Sequence, residues 1–258
     1  MRDIGISSQD IAMVSPETQT LGLALEVIGR LVATRDSGAV RVLDHLVNRL
    51  AEAARGPDAD ALRATLALLR SERITDCTIV SQYIPEAARR LGEGWQADSL
   101  SFLDVTMGVA KLAELTRELG NEWRGDDQAG HGQSSVLVVV PPGEQHTLGA
   151  MVLACLLRQE GVSVCLRLSP SLTELAALVA TRRFSGAMIS VGSHDKVEGC
   201  AVLVRTLHAL GKADLPVAVG GSILDEARDL LAATGADLVS NRVDEALMLF
   251  GIKTTQNT

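Results

Sequence analysis

The chain has no excess of basic residues: 24 Lys and Arg stand against 32 Asp and Glu, a net charge of -8. A broad basic face that tracks a phosphate backbone is therefore not expected, and any effect on transcription should run through a protein partner, with little or no direct DNA binding. Long apolar runs are missing too, and no stretch reaches membrane-spanning length. Residues 1 to 20 lack the basic-then-apolar pattern of a secretory signal. Cysteine is scarce, and Cys77, Cys155, Cys165 and Cys200 show no Cys-x-x-Cys spacing. Buried or half-buried thiols are expected, rather than zinc or disulfides. No Gly-x-x-x-x-Gly-Lys phosphate loop occurs. Ser193, His194 and Asp195 are consecutive, which is not how a catalytic triad assembles in space. The expectation from these absences is a cytoplasmic protein that is not an enzyme.

What is present divides into two unlike halves. Residues 1–17 read as a flexible leader around Pro16. From 18 to 120 the apolar spacing is three and four: Leu21, Leu25, Ile28, Leu31 and Val32; then Val40, Leu43, Leu46, Val47 and Leu50. Gly56-Pro57-Asp58 is a break, and Asp58 or Asp60 can cap the helix carrying Leu62, Leu66 and Leu69. A segment from 75 to 91 follows, with Pro85 expected to bend it. The segment from 100 to 119 carries Phe102, Leu103, Val105, Val109, Leu112 and Leu115. This half is a helical bundle. Residues 121–135 are polar and glycine-rich, a linker in which His131 is a solvated residue. Residues 136–252 alternate strand and helix, and 253–258 form a tail. Strands are expected near 136–140, 162–167, 186–191, 216–219 and 237–239, with helices near 147–160, 172–182, 197–210, 223–233 and 243–250. The fold class is α/β: an N-terminal helical bundle followed by a flavodoxin-like (Rossmann-like) doubly wound five-stranded parallel sheet.

The first strand, Val136-Leu-Val-Val-Val140, is ended by Pro141, Pro142 and Gly143. Glu144-Gln-His146-Thr147-Leu148-Gly149 then leads into an apolar helix. This puts His146 on a loop at the carboxyl end of strand one, beside the switch point where open α/β sheets hold ligands. Such a histidine can ligate a metal, act as acid or base, or simply sit at the surface. Glu144, two positions away, can bond its second ring nitrogen, which fixes the tautomer and raises ligand basicity. Ser190 and Gly192 follow the third strand. Gly220, Gly221 and Ser222 follow the fourth, where Ser222 can also cap a helix.

Glu144-x-His146-x-x-Gly149 resembles the Asp-x-His-x-x-Gly signature of cobalamin-binding domains of the methionine-synthase type, with Glu for Asp. Ser190 and Gly220-Gly221 fall where that family carries Ser-x-Leu and Gly-Gly, although Ser190-Val-Gly192 lacks the Leu. The resemblance implies a cobalamin held base-off and His-on, with His146 as axial ligand to cobalt. It also implies a nucleotide tail in a slot kept open by Gly149 and met by the Ser190 hydroxyl, with Gly220 and Gly221 letting the ligand lie close to the backbone. Contacts are expected from Glu144, His146, Thr147, Leu148, Gly149, Ser190, Gly192, Gly220, Gly221 and Ser222. Leu91-Gly92-Glu93-Gly94-Trp95 resembles the Gly-x-x-Trp element of the helical bundle that covers the corrin, which makes Trp95 a candidate cap.

Two departures shape the functional expectation. Gln96 stands where light-sensing repressors of this group carry a His, and Val105 and Thr106 stand where many bundles carry Glu-His. With no upper-face histidine there, water or hydroxide is the expected sixth ligand, or else His45 or His194 reaches it. The chain is similar overall to AerR/PpaA-type antirepressors of photosynthetic purple bacteria. That implies a light-dependent cobalamin-binding (hydroxocobalamin or alkylcobalamin) antirepressor acting through a DNA-binding repressor of the CrtJ/PpsR type. The alternatives are a haem-binding redox sensor, since a histidine serves either metal, and a corrinoid methyl-carrier subunit of a methyltransferase system.

Overall fold

The computed structural model describes residues 42–120, 134–211, 215–225 and 229–253. The expected leader, the amphipathic stretch 21–32, His131, residues 121–133 of the linker and all but Lys253 of the tail lie outside the described residues.

The helical half follows its apolar spacing. In α1 (Asp44–Arg55), Leu46, Val47, Leu50 and Ala54 are buried on one face. Helix α2 (Ala59–Ser71) starts at the break, where the Asp58 carboxylate accepts the Asp60 N–H at 2.8 Å as its N-cap. The short α3 (Asp76–Thr78) is capped by Thr75 and runs into a π-turn, Ile79–Tyr83, before α4 (Ile84–Gln96). The π-turn replaces the expected bend at Pro85. The Ile84 N–H reaches back five residues to the Ile79 carbonyl. Pro85 thereby lies in the first turn of α4, where its missing N–H costs nothing. Helix α5 (Phe102–Gly120) buries Val105, Leu112, Leu115 and Leu119. Phe102 and Leu103, expected on that apolar face, are instead 58% and 68% exposed.

The second half holds β1 (Ser135–Val140), α6 (Leu148–Gln159), β2 (Ser163–Leu168), α7 (Leu172–Thr181), β3 (Gly186–Ser190), α8 (Val197–Leu210), β4 (Val217–Gly220), α9 (Leu230–Thr234), β5 (Leu238–Val239) and α10 (Val243–Leu249). The strands are all parallel, in the order β2-β1-β3-β4-β5. That is the flavodoxin-like order, with β1 and β3 adjacent at the switch point. Both faces of β1 are covered, as its unbroken β-branched run requires. Val136, Val138 and Val140 pack with residues of α6 and α10, and Leu137 and Val139 with residues of α7, α8 and α9. The expected helix at 223–233 is not continuous. A 3-10 turn spans Ser222–Asp225, and Asp229, with φ at +69°, starts the five-residue α9. A left-handed residue cannot continue a right-handed helix.

Helix α6 joins the halves. Ala150, Ala154 and Leu157 lie on the sheet, while Leu148, Val152, Cys155 and Leu156 belong to the same apolar cluster as Leu50, Tyr83 and Leu112 of the bundle. This explains why α6 is apolar nearly all round. The helix begins one residue after Thr147, so the loop carrying His146 is continuous with the element on which the bundle rests.

Candidate functional site at the carboxyl edge of the sheet

Pro141, Pro142 and Gly143 turn the chain off β1, and the Glu144 N–H returns to the Pro141 carbonyl at 3.1 Å. This tight turn sends the Glu144 side chain inward, where it is 1% exposed. One carboxylate oxygen accepts the His146 N–H at 2.9 Å and lies 2.5 Å from His146 Nδ1. The other accepts the Gly192 N–H at 2.7 Å, across the switch point from the end of β3. Burial pushes the carboxyl up, but the hydrogen bonds from the His146 ring, the His146 amide and the Gly192 amide outweigh it, so Glu144 rests below the usual carboxylate range. An ionised carboxylate can only accept, so Nδ1 carries a proton, and the tautomer this fixes for the neutral ring is the one with its lone pair on Nε2. Among the described residues nothing hydrogen-bonds Nε2, and the ring is 20% exposed.

Because the Glu144 carboxyl is depressed, its stabilisation is present above the unfolded carboxylate pKa and is lost as pH falls through its own lower value. We expect the urea midpoint of wild type to exceed that of Glu144→Gln at neutral pH. The gap should narrow on acidification only below pH about 4. A gap that stays constant down to full acid unfolding would show that the charge is not what holds the loop.

Gly192 must be glycine here. A Cβ on it would stand 2.5 Å from His146 Nδ1 and 3.0 Å from Glu144 Oε1. Ser222 makes a bond that its place in the sequence did not indicate. It is 3% exposed, and its hydroxyl donates to the Gly192 carbonyl at 2.8 Å. The ends of β1, β3 and β4 are thereby tied in sequence: Glu144 to Gly192, and Gly192 to Ser222.

Beside this knot lies a narrow, half-open slot, running from the first turn of α6 across the ends of β3 and β4. Gly149, Ser190, Gly220 and Gly221, all motif positions, line it. So do Leu153, Asn241, Arg242 and Val243, which no motif indicated. Asn241 follows the last strand just as His146, Ser190 and Gly220 mark the ends of β1, β3 and β4. Its position at a strand end is the one signal that could have found it.

Other expectations fare differently. Thr147 lies half-buried at the N-cap of α6 and makes no side-chain cap bond. Leu148 is 3% exposed and belongs to the bundle-facing cluster, so its side chain is committed to the bundle. The reason is positional: it lies on the face of α6 opposite the sheet. Trp95 is half-buried against the bundle core, with its ring 6.1 Å from that of Phe102. Val105 is fully buried and Thr106 is exposed, its hydroxyl bonded to the Phe102 carbonyl. His45 and His194 are exposed, and His208 pairs with Asp237 at 2.9 Å, beside the start of β4. Among the described residues, His146 is the histidine at the strand-end crevice. Cys155, Cys165 and Cys200 are buried and Cys77 half-buried, as expected.

Among the described residues no helix is long and apolar enough to cross a membrane. No protein-family model matches the chain. The chain is 44% identical over 174 residues to the "uncharacterized 20.5 kDa protein in bchF-crtJ intergenic region" of Rhodobacter capsulatus, an alignment covering 67% of this chain and 91% of that protein. In structure it is similar to the monomethylamine corrinoid protein of Methanosarcina barkeri, with a TM-score of 0.61 and 13% identity over 80% of this chain and 96% of that one. At that identity the likeness shows a shared fold. A cobalamin-binding protein from Desulfitobacterium hafniense aligns over 81% of this chain and 97% of its own, at 16% identity and a TM-score of 0.40, too remote to carry an argument.

Proposed function

The chain belongs to the family of the Rhodobacter capsulatus protein encoded between bchF and crtJ, and from that premise we propose that it binds a cobalamin through His146 and acts as a light-dependent antirepressor. The observation that carries the binding half is the buried Glu144 carboxylate, which holds the His146 ring by Nδ1 and leaves Nε2 without a hydrogen bond among the described residues, at the same sheet edge as the slot. The residues fit the group. His146 would ligate the cobalt, with the cobalamin base-off and His-on. Gly149, Ser190, Gly220 and Gly221 would hold the nucleotide tail, and Glu144 with Gly192 would keep the ring aimed. Among the described residues no cluster of three or more His, Cys, Asp or Glu could hold a metal. A single aimed histidine suits a metal whose other ligands come from a macrocycle.

When bound, an alkylcobalamin would supply a light-sensitive cobalt–carbon bond. What the chain does is couple the site to the bundle. The His146 loop runs straight into α6, whose outer face is part of the bundle core. A ligand shifts that packing only if it binds two arrangements with different affinity. Trp95, with the exposed first turn of α5 at Phe102 and Leu103, is where such a difference would be read. The partner we propose is a DNA-binding repressor of the CrtJ/PpsR type. The relative's gene lies next to crtJ, and an acidic chain suits a basic face on a partner better than it suits DNA.

An absorbance spectrum tests this. Hydroxocobalamin should co-elute with the protein and show a shifted band. Adenosylcobalamin should behave differently in the dark and after illumination. Glu144→Gln should weaken binding by roughly 10- to 100-fold, the usual cost of losing the partner of a metal-bound histidine. Retention of haemin alone would replace this reading with a redox sensor. The likeness to the monomethylamine corrinoid protein favours a second reading, a corrinoid methyl carrier. Methyl transfer from the bound corrinoid to a thiol acceptor through an added methyltransferase would support it.

A further inference from the structure

One wall of the slot is built by residues outside every motif: Ser240, Asn241, Arg242 and Val243, where the chain passes from β5 into α10. Strand β5 is only two residues long, so the ladder does little to place this wall. A side chain does it instead. Asn241 Oδ1 accepts the Gly221 N–H at 2.7 Å, and Asn241 Nδ2 donates to the Gly221 carbonyl at 3.2 Å. One primary amide thus satisfies both backbone groups of Gly221, much as a neighbouring strand would. The two loops also touch directly, since a Cβ on Gly220 would stand 2.9 Å from the Ser240 carbonyl oxygen and 3.1 Å from Asn241 Oδ1. On its other side the loop is fixed to α10, where the Ser240 hydroxyl donates to Glu245 at 2.5 Å.

We infer that Asn241 is a positioning residue that sets the width of the slot and so makes the protein select corrinoids carrying a nucleotide tail over corrinoids and haems without one. The inference rests on the corrinoid reading above and adds to it the residue that provides the selection. Ala150, Leu153, Met188, Ala218 and Ala246 in the slot lining are apolar, which suits a flat heterocycle. Ser190, Asn241 and Arg242 in the same lining are polar, which suits the sugar and phosphate that link such a ring to the corrin. A ring held between two walls gains dispersion energy from both, and a gap of under an ångström forfeits much of it. A wall that must first be ordered takes the cost of that ordering out of affinity. His146 would meet the metal whether or not a tail is present, so it cannot discriminate. The Asn241–Gly221 tie acts only on a ligand that enters the slot.

The test is equilibrium binding of hydroxocobalamin, diaquacobinamide (a corrinoid without the nucleotide) and haemin to the full-length chain, followed by absorbance. Asn241→Ala, which removes two hydrogen bonds from the wall, should weaken cobalamin about tenfold while leaving cobinamide and haemin within about twofold of wild type. Asn241→Asp keeps the acceptor for the Gly221 N–H and loses the donor, so its cobalamin affinity should fall between the two. Wild-type binding of cobinamide by the alanine variant shows that it is folded; if that variant does not fold, the aspartate variant decides by the same ratio. Equal losses for cobalamin and cobinamide, or no loss for either, overturn the role of Asn241. Failure of the wild-type chain to bind any corrinoid overturns the corrinoid reading itself, a result distinct from both.

Discussion

His146→Ala should emerge from gel filtration colourless after incubation with hydroxocobalamin under conditions where the wild-type protein carries the corrin. Loss of the partner of a metal-bound histidine usually costs up to about 100-fold in affinity, and loss of the ligand itself should cost at least that. Three features make the effect large. The ring is held on one side by a buried carboxylate, so its position is fixed before any ligand arrives. Nε2 makes no hydrogen bond among the described residues, so no internal bond must break first. The other histidines in the described residues are exposed or paired elsewhere, and none is held by a buried carboxylate as His146 is. Added imidazole should restore part of the wild-type spectrum by filling the space left by the ring. A variant that keeps wild-type affinity and spectrum would mean that the metal is not held from this side. Melting the ligand-free variant controls for folding, since Glu144 would then be buried with Gly192 as its remaining cross-strand donor.

Gly221→Ala should lower the melting temperature of the ligand-free protein by roughly 10 °C, the shift expected in a chain of this size for a loss of about 3–5 kcal/mol. Two costs coincide at this position. Its φ is +115°, a region that L side chains rarely adopt, and a Cβ there would stand 2.2 Å from the Val191 carbonyl oxygen. That oxygen belongs to the backbone following β3 and accepts the Ile223 N–H, so it cannot move aside as a side-chain tip could. The control is Gly161→Ala. Gly161 also has a positive φ, +78°, but nothing lies within 4 Å of its Cβ position. That substitution should cost only about 1 kcal/mol, from the backbone conformation alone. Similar melting temperatures for the two variants would show that the loop after β4 relaxes freely, and would undercut the close approach on which the slot depends.

The contrast between these two residues reflects what could be read along the chain. His146 was legible. A β-branched run ended by prolines reads as a buried strand whatever it packs against, because burial of both faces is written into composition. A histidine straight after such a strand falls at the ligand edge of any doubly wound sheet. The bundle was legible in the same way, since Leu46, Val47 and Leu50 at helical spacing must share a face. Asp58 was also legible as an N-cap, because capping is decided within four residues.

Other features depended on contacts that no local pattern encodes. The second oxygen of Glu144 finds its donor 48 residues away at Gly192, and the Ser222 hydroxyl finds the Gly192 carbonyl. Leu148 is one apolar residue among many in α6, and only the docked bundle determines that it faces away from the slot. Phe102 and Leu103 continue an apolar spacing beyond the core that would bury them. Asn241 follows a two-residue strand too short to show a period, and its role exists only because β4 and β5 are neighbours. The sequence by itself determined which segments become strands and helices and which edge of the sheet carries chemistry, since propensity, periodicity and strand ends are properties of a few consecutive residues. Only the tertiary structure decided which strand-end loops meet, and hence what aims His146 and what forms the slot wall, because those pairings follow from the crossover order β2-β1-β3-β4-β5.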